Sequence, residues 1–352
     1  MNITFILPNL RPGGSERVVI NLANEFVRRN LKVSIVLISG NDKSLNHLLS
    51  NDIKVHDLKL TRYRELIFRP WILFKIFRYI KPDVVVSAFG EINPLIIPFK
   101  FFFPNTKFIA RESSIPSLRF ESYLIKFSYK LFYNLYDLIV IQSNYMGDDL
   151  INNFFVDKNK IKLISNPLDI KFIDEKLVEV DVCTSYLGHY ILFVGTLDAN
   201  KRLDKAILFF ELLRKNEFKY KLIIIGSGPE FENVMKLVSA SNFNNDIILM
   251  PHSDNPFIYM KLAQFLIISS NYEGFPNVGI EANYCGTPIL LSNSTKGGAS
   301  ELVVDGYNGL VIDFANPDFE KLKTKFDFDR IINTTKLRHN VYNIVNEYLE
   351  VI

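Results

Sequence analysis

The chain has 352 residues, 48% hydrophobic and 22% charged, a globular composition long for one domain and comfortable for two, with no disordered tail or low-complexity tract standing out. Cys183 and Cys285 are the only cysteines, too few and too distant for a disulfide framework or a zinc site, so a reducing compartment is expected. The net charge of +3 hides an asymmetry: residues 1–165 carry 23 Lys+Arg and 14 Asp+Glu, net +9, which leaves 18 and 24, net −6, for residues 166–352; the first half is expected to meet something anionic.

In chain order, the first apolar run, Ile3–Leu7, predicts a buried strand. It lacks the basic start and the length of a signal peptide, and no apolar run approaches the 18 residues or so of a membrane span. Pro12-Gly13-Gly14-Ser15 then leads into a helix expected from Ser15 to about Arg29. Val18, Val19, Leu22, Ala23 and Phe26 form its apolar face, and Ser15 is the expected N-cap. A strand at Val33–Ile38 completes a βαβ opening and predicts a parallel sheet. Glycine in the first loop lets backbone approach a ligand, and the helix start favours a phosphate; an ordinary βα turn explains it as well. Further strands are expected at Val84–Val86, Phe108–Ala110, Leu138–Ile141 and Ile161–Ile164.

Residues 59–81 carry seven positive charges and one negative, interleaved with aromatics, and residues 63–136 hold 19 of the chain's 47 aromatics. Such segments suit an anionic membrane surface. Filling the core of the first domain is the plainer explanation. A nucleic-acid patch has only charge behind it, with no RNA-binding motif, so no nucleic-acid partner is expected.

Asn166-Pro167 marks a boundary. Domains are expected at 1–165 and 166–315, with a helical tail over 316–352 that packs back toward the first domain. Second-half strands are expected at Ile191–Val194, Leu222–Ile225, Ile247–Leu249, Leu266–Ile268, Ile289–Leu291 and Leu310–Ile312, the last preceded by the turn signals Asp305-Gly306 and Asn308-Gly309. The pattern reads as an α/β protein of two Rossmann-like domains facing each other across a cleft, with ligands at the carboxyl ends of the strands.

Three second-half loops carry chemistry. Lys201 and Arg202 follow a strand, where basic side chains are placed to neutralise a diphosphate; a solvated basic pair is the alternative. Gly226-Ser227-Gly228-Pro229 opens a helix after a strand, yet Phe231 stands where a dinucleotide fingerprint needs glycine. The stretch from Ser269 to Pro288 predicts a strand, a tight loop and a short helix starting near Asn277. Its start offers the amides of Phe275, Asn277 and Val278 to an anion. Glu273 lies in that loop and Glu281 inside the helix. Paired carboxylates also serve glycosidases, but one beside a helix start and one within it suit ligand hydroxyls better. A phosphate grip beside such a carboxylate points to a nucleotide-sugar site. The five histidines show no ligand spacing, so no metal and no resident cofactor are expected. His252 is placed to line the cleft or to serve as a polar loop residue.

Together these pieces resemble the retaining glycosyltransferases of the GT-B fold, glycosyl transferases group 1, which include sucrose synthase-like and bacterial polysaccharide-assembly enzymes. The resemblance rests on Glu273 and Glu281 in an E-x7-E pattern followed by Cys285-Gly286-Thr287-Pro288. Gly297-Gly298 with Glu301, the 305–310 segment, Gly195 with Lys201, Gly226–Pro229 and Gly13-Gly14 also fit. It implies that Glu281 holds the donor's ribose and that Lys201, with Glu273 near the transferred sugar, attends the reaction centre. Phe275, Pro276, Asn277 and Val278 would meet the phosphates and the sugar. Gly14 would approach the diphosphate from the first domain. Gly226, Ser227, Gly228, Pro229 and His252 would border the nucleotide.

Two departures stand out. Thr196 occupies the place where the family usually has arginine, which shifts diphosphate neutralisation onto Lys201, helped by Arg202. The first-domain histidine of many members is absent, and Arg111 and Glu112 are the candidate acceptor-side replacements. The expected activity is transfer of a hexose from a nucleoside diphosphate sugar, UDP-linked, to a lipid-linked glycan, with the protein cytoplasmic and peripheral at the inner face of a bacterial membrane. A nucleotide-sugar epimerase and a non-catalytic nucleotide-sugar-binding protein are the alternatives.

Overall fold

The structure is a computed structural model that describes residues 1–40, 42–178, 188–251, 253 and 255–352. The chain divides into two compact units, Met1–Leu168 with His339–Ile352, and Asp169–Arg338.

The first unit is built on seven strands: β1 (Asn2–Leu7), β2 (Lys32–Leu37), β3 (Lys54–Asp57), β4 (Val84–Ser87), β5 (Lys107–Arg111), β6 (Leu138–Ile141) and β7 (Ile161–Leu163). They form one parallel sheet in the order β3-β2-β1-β4-β5-β6-β7. Central strands of a parallel sheet are covered on both faces and therefore read as unbroken apolar runs; Ile3, Phe5, Ile6 and Leu7 are all fully buried. The edge strand β3 was not expected. Its sequence, Lys-Val-His-Asp, is half-buried and has a single apolar residue, so it leaves no run to detect.

The first helix spans Gly14–Arg28 and buries the expected face, Val18, Val19, Leu22, Ala23 and Phe26. Its N-cap is Gly13, not the expected Ser15. The Gly13 carbonyl already accepts from the Arg17 amide at 3.1 Å, which puts Ser15 inside the first turn. The closing helix, Val341–Val351, packs on this first helix. Tyr348 meets Phe26 edge-on at 6.3 Å, and Arg29 lies over the Tyr342 ring at 3.8 Å.

The second unit contains β8 (Tyr190–Val194), β9 (Lys221–Ile225), β10 (Ile247–Met250), β11 (Phe265–Ile268), β12 (Tyr272–Glu273), β13 (Ile289–Ser292), β14 (Lys296–Gly297) and β15 (Gly309–Ile312). Six make a parallel sheet in the order β10-β9-β8-β11-β13-β15, while β12 and β14 pair separately. Counted within each sheet, the second runs 3-2-1-4-5-6, the doubly wound order of a Rossmann domain, and the first runs the same way with a seventh strand added after the sixth.

The unit borders differ from the expected 165/166 and 315/316. Pro167 and Leu168 stay with the first unit because the Leu168 amide donates to the His339 carbonyl at 2.6 Å and the Val341 amide donates to Leu168 at 3.2 Å. Residues 316–338 stay with the second unit, held by Phe326 against Phe265 and by the Tyr307 hydroxyl at 2.6 Å from the Thr334 hydroxyl. Only the segment from His339 onward belongs to the first unit.

Candidate functional site

In a doubly wound sheet, ligands bind beyond the carboxyl ends of the strands where the winding reverses. In the second unit that point lies between β8 and β11, and the loops leaving these two strands carry Lys201 and Glu273. The Lys201 ammonium donates to Glu273 Oε1 at 2.7 Å, with the lysine side chain 24% exposed and the glutamate 13%. Burial works to lower the lysine's pKa, but the charge and hydrogen bond of Glu273 outweigh it, and the net displacement is upward. Lys201 is therefore a cation at physiological pH, held beyond the carboxyl ends of two central strands of the parallel sheet. The Ser270 hydroxyl also donates to Glu273 Oε1.

The Lys201 loop is a turn over Ala199–Lys201 capped by Asp198, whose carboxylate accepts from the amides of Asn200 and Lys201. Arg202 follows with φ +50° and forms an ion pair with Asp204 at 2.6 Å. That pairing turns it to its own helix, Leu203–Lys215, although its Nη1 still reaches Asn271 Oδ1 at 3.3 Å. Thr196 lies in the same loop, where its carbonyl accepts from the Asp198 amide.

Gly226-Ser227-Gly228 has a packing reason. The Leu197 amide donates to the Ser227 carbonyl at 2.9 Å, and the Glu230 amide donates back to the Leu197 carbonyl at 2.9 Å. A Cβ at position 226 would lie 2.0 Å from the Gly195 carbonyl oxygen, and one at 228 would lie 2.3 Å from that of Leu197. Glycine is what lets the β9 loop lie against the β8 loop. Pro229 follows in the turn that leads to the helix Phe231–Ala240.

The helix Asn277–Tyr284 starts directly after this apparatus, with Pro276 as its N-cap. Gly279, Ile280, Ala282 and Asn283 are buried, while Phe275, Asn277, Val278 and Glu281 keep partial exposure. Glu281 is thus half-buried, flanked on the helix by the buried Ile280 and Ala282. The expected donor-side residues Thr196, Lys201, Arg202, Gly226–Pro229, Glu273, Phe275–Val278 and Glu281 all belong to this one unit. His252 lies outside the described residues.

Gly14, Arg111 and Glu112 belong to the first unit, where β1 and β5 end. Gly14 is exposed at the start of the first helix. Glu16, which sequence reasoning passed over, is buried beside it and bonded by Arg11 at 3.3 Å; burial raises its pKa. Arg111 and Glu112 are only 2% and 1% exposed. Arg111 donates to Asn166 Oδ1 and lies against Tyr348. Burial lowers its pKa, and Tyr348 and Glu112 oppose that fall. Glu112 accepts from the Tyr133 hydroxyl, from Asn93 Nδ2 at 3.2 Å and from the Tyr129 hydroxyl at 3.2 Å. Burial pushes its carboxyl up to about 7 against these hydrogen bonds. Both side chains are thus engaged with groups of their own unit. Among the described residues no cluster of three or more His, Cys, Asp or Glu is arranged to hold a metal, and no helix is long and apolar enough to cross a membrane.

Sequence reasoning also missed Asp198, Asn200, Ser269 and Ser270, which hold the two loops together. The one local signal was Asp-x-Asn directly before Lys201, the composition of a side-chain-capped turn.

Two doubly wound units, one carrying a lysine–glutamate pair at its switch point and a second glutamate on the helix that follows, have the architecture of the GT-B fold. The family model for glycosyl transferases group 1 matches residues 188–344, and that for glycosyltransferase family 4 matches residues 12–172. The second half of the chain thus carries a group 1 glycosyltransferase match and the first half a family 4 match. It is 28% identical over 338 residues to the N-acetylgalactosamine-N,N'-diacetylbacillosaminyl-diphospho-undecaprenol 4-alpha-N-acetylgalactosaminyltransferase of Campylobacter jejuni, covering 92% of this chain and 89% of that protein. The capsular polysaccharide biosynthesis glycosyltransferase CapM of Staphylococcus aureus is 26% identical, over 57% of this chain and 51% of its own. Among solved structures, Anabaena Alr3699/HepE in complex with UDP and glucose superimposes with a TM-score of 0.79 at 17% identity, covering 99% of this chain and 98% of that one.

Proposed function

We propose that the protein transfers a hexose from a UDP-linked sugar, with retention at the anomeric carbon, to a lipid-linked or growing glycan in bacterial surface polysaccharide synthesis (capsule, O-antigen or exopolysaccharide). The observation that carries this reading is the Lys201–Glu273 pair at the switch point, directly before the helix that bears Glu281. Support for the donor comes from the UDP complex of the Anabaena protein, and for the acceptor from the lipid-linked substrate in the name of the Campylobacter relative.

In this reading Glu281 accepts the ribose hydroxyls. Phe275–Val278 present backbone amides to the phosphates. Thr196, Arg202, Gly226–Pro229 and His252 border the nucleotide. Lys201 exchanges its partner Glu273 for the diphosphate, which frees Glu273 for the sugar hydroxyls. The bond from the anomeric carbon to the diphosphate breaks as the acceptor oxygen bonds the same face of that carbon. The acceptor's proton passes to the departing phosphate oxygen. Preorganised positive charge from Lys201 and the helix start stabilises the leaving group, so a metal has no assigned task.

The first unit supplies a membrane-facing surface in this reading. Phe68, Trp71, Tyr79, Phe101, Phe102 and Tyr123 are 54–79% exposed, among the exposed cations Arg62, Arg64, Arg69, Lys75 and Arg78. The protein is then cytoplasmic and peripheral at the inner face of the cell membrane.

The test is a screen of UDP-, GDP- and ADP-sugars by thermal shift and by nucleotide release, with Glu281→Ala alongside. Wild type is expected to prefer UDP-sugars, and the variant to lose about tenfold or more in nucleotide affinity, as for loss of a charge-assisted hydrogen bond. A variant that keeps wild-type affinity for every nucleotide would falsify the ribose assignment. Epimerised donor formed without acceptor would overturn transfer.

A further inference from the structure

The two loops that carry Lys201 and Glu273 come from strands far apart in sequence, and one of the side chains that cross between them, Asn200, bonds the backbone of the neighbouring loop twice. Asn200 donates from Nδ2 to the Tyr272 carbonyl at 3.0 Å and accepts at Oδ1 from the Tyr272 amide at 3.3 Å. Its own carbonyl accepts from the Asn271 amide at 2.8 Å. One carboxamide thus engages both backbone groups of the residue before Glu273, while its own backbone immediately precedes Lys201. Only a side chain with a donor and an acceptor side by side can do this; aspartate accepts but cannot donate, and serine is too short to span both.

The surroundings make Asn200 rigid on one side and decisive on the other. Asp198 accepts from the Asn200 amide at 2.9 Å and from the Lys201 amide at 3.2 Å, which fixes the turn. The Ser269 hydroxyl donates to the Lys201 carbonyl at 2.7 Å. On the Glu273 side, the Thr295 hydroxyl donates to the Ser270 carbonyl at 2.7 Å, and the Gly298 amide donates to the Glu273 carbonyl at 2.8 Å. Asp198 braces one loop and Thr295 and Gly298 the other, the Ser269 hydroxyl crosses to the Lys201 carbonyl, and the Asn200 carboxamide fixes the backbone spacing directly beside the reacting pair.

We infer that Asn200 is a positioning residue for the transfer reaction: its bidentate contact with Tyr272 holds Lys201 and Glu273 at the spacing a donor diphosphate and sugar require. This rests on the donor assignment made above, and it goes further in naming what sets the geometry. A small displacement of a charge at the reacting centre costs rate out of proportion to its size, so the contact is expected to act on turnover more than on stability.

Two measurements test it. The first needs no donor. In reductive methylation of the native protein, Lys201 is expected to react several-fold faster in Asn200→Ala than in wild type, with the exposed Lys215 as an unchanged reference. Equal Lys201 rates would overturn the clamp. The second is a double-mutant cycle with Lys201→Ala, read by UDP affinity and by kcat for nucleotide release from the UDP-sugar that wild type turns over. Asn200→Ala alone is expected to lower kcat about 10- to 100-fold with a smaller change in KM, and to have almost no further effect in the Lys201→Ala background. Effects that multiply would show that Asn200 does not act through Lys201. Asn200→Asp, nearly isosteric, replaces the donor by a charged oxygen that cannot bond the Tyr272 carbonyl; it is carried through both measurements and is expected to lower kcat as the alanine variant does. If wild type bound no UDP, the donor assignment would fall, while the methylation rates would still decide the clamp.

Discussion

At the scale of single residues, the two units bury carboxylates for different ends. Glu273 meets a cation and stays beside solvent; Glu112 meets only neutral donors and is sealed in. Asn93 joins Glu112 to Ser87 at 2.5 Å and receives the Tyr136 hydroxyl at its carbonyl at 2.8 Å, so the carboxyl, directly after β5, closes a network that takes in the end of β4 and Tyr129, Tyr133 and Tyr136. Hydrogen bonds satisfy the group without cancelling its charge, and desolvation wins. The carboxyl titrates at about 7 in the folded chain against 4.5 for an ordinary glutamate. The folded chain therefore holds a proton between those values that the unfolded chain has lost. Stability from this group is fully present below pH 4.5 and is lost as pH rises through 7. Glu112→Gln keeps the shape and removes the titration. The variant is expected to gain on the order of 3 kcal/mol over wild type at pH 8 and nothing at pH 4.5, read from urea midpoints across that range. Identical pH slopes for the two proteins would remove the network from the argument.

At the scale of elements, what the sequence made legible was whatever has a local period or a local composition. The apolar runs of β1, β8 and β11 and the face of the first helix are of that kind. So is the break at Gly274 and Pro276 that starts the Asn277 helix. The edge strand β3 and the Asn200 contact were not legible, because one has no apolar run and the other joins segments some seventy residues apart. The aromatic segments were half legible: Phe77, Tyr129, Tyr133 and Tyr136 went to the core, while Phe68, Trp71 and Tyr79 stayed outside, and composition alone cannot sort them. The exposed set leads to a prediction. Sedimentation with anionic vesicles is expected at low salt and to weaken at high salt, since each basic residue near the surface contributes about 1 kcal/mol and is screened. Trp71→Ala with Phe68→Ala is expected to weaken binding at both salt levels; no binding at low salt would dismiss the surface. The paired loops give another. Gly226→Ala or Gly228→Ala drives a methyl into backbone rather than into a pliable side chain, so the β8 and β9 loops must part. A loss of about 1–3 kcal/mol in stability is expected, with UDP affinity falling alongside; unchanged values for both would show that the loops give way freely.

At the scale of the whole molecule, the chain completes its first unit only with its last residues. Val341, Ile344, Val345 and Tyr348 are buried in the first unit's core, none more than 7% exposed, beside Phe26. Fully burying each such side chain contributes about 1.5–3 kcal/mol, so the four together supply on the order of 6–12 kcal/mol, comparable with the whole stability of a domain. Tyr348 also faces the buried Arg111, and its loss leaves that cation with less to offset its desolvation. The second unit has a separate apolar core, from Ile191 and Leu203 to Phe314 and Leu322, that draws on none of these residues. A chain ending at Asn340 is therefore expected to lose the first unit and keep the second. In limited proteolysis its N-terminal 168 residues should be digested while a fragment ending near Arg338 survives, and hydrogen exchange should show protection confined to β8–β15. Loss of protection in both halves together would mean that the second core does not stand alone, and intact protection in the first would mean that the closing helix contributes far less than its burial implies.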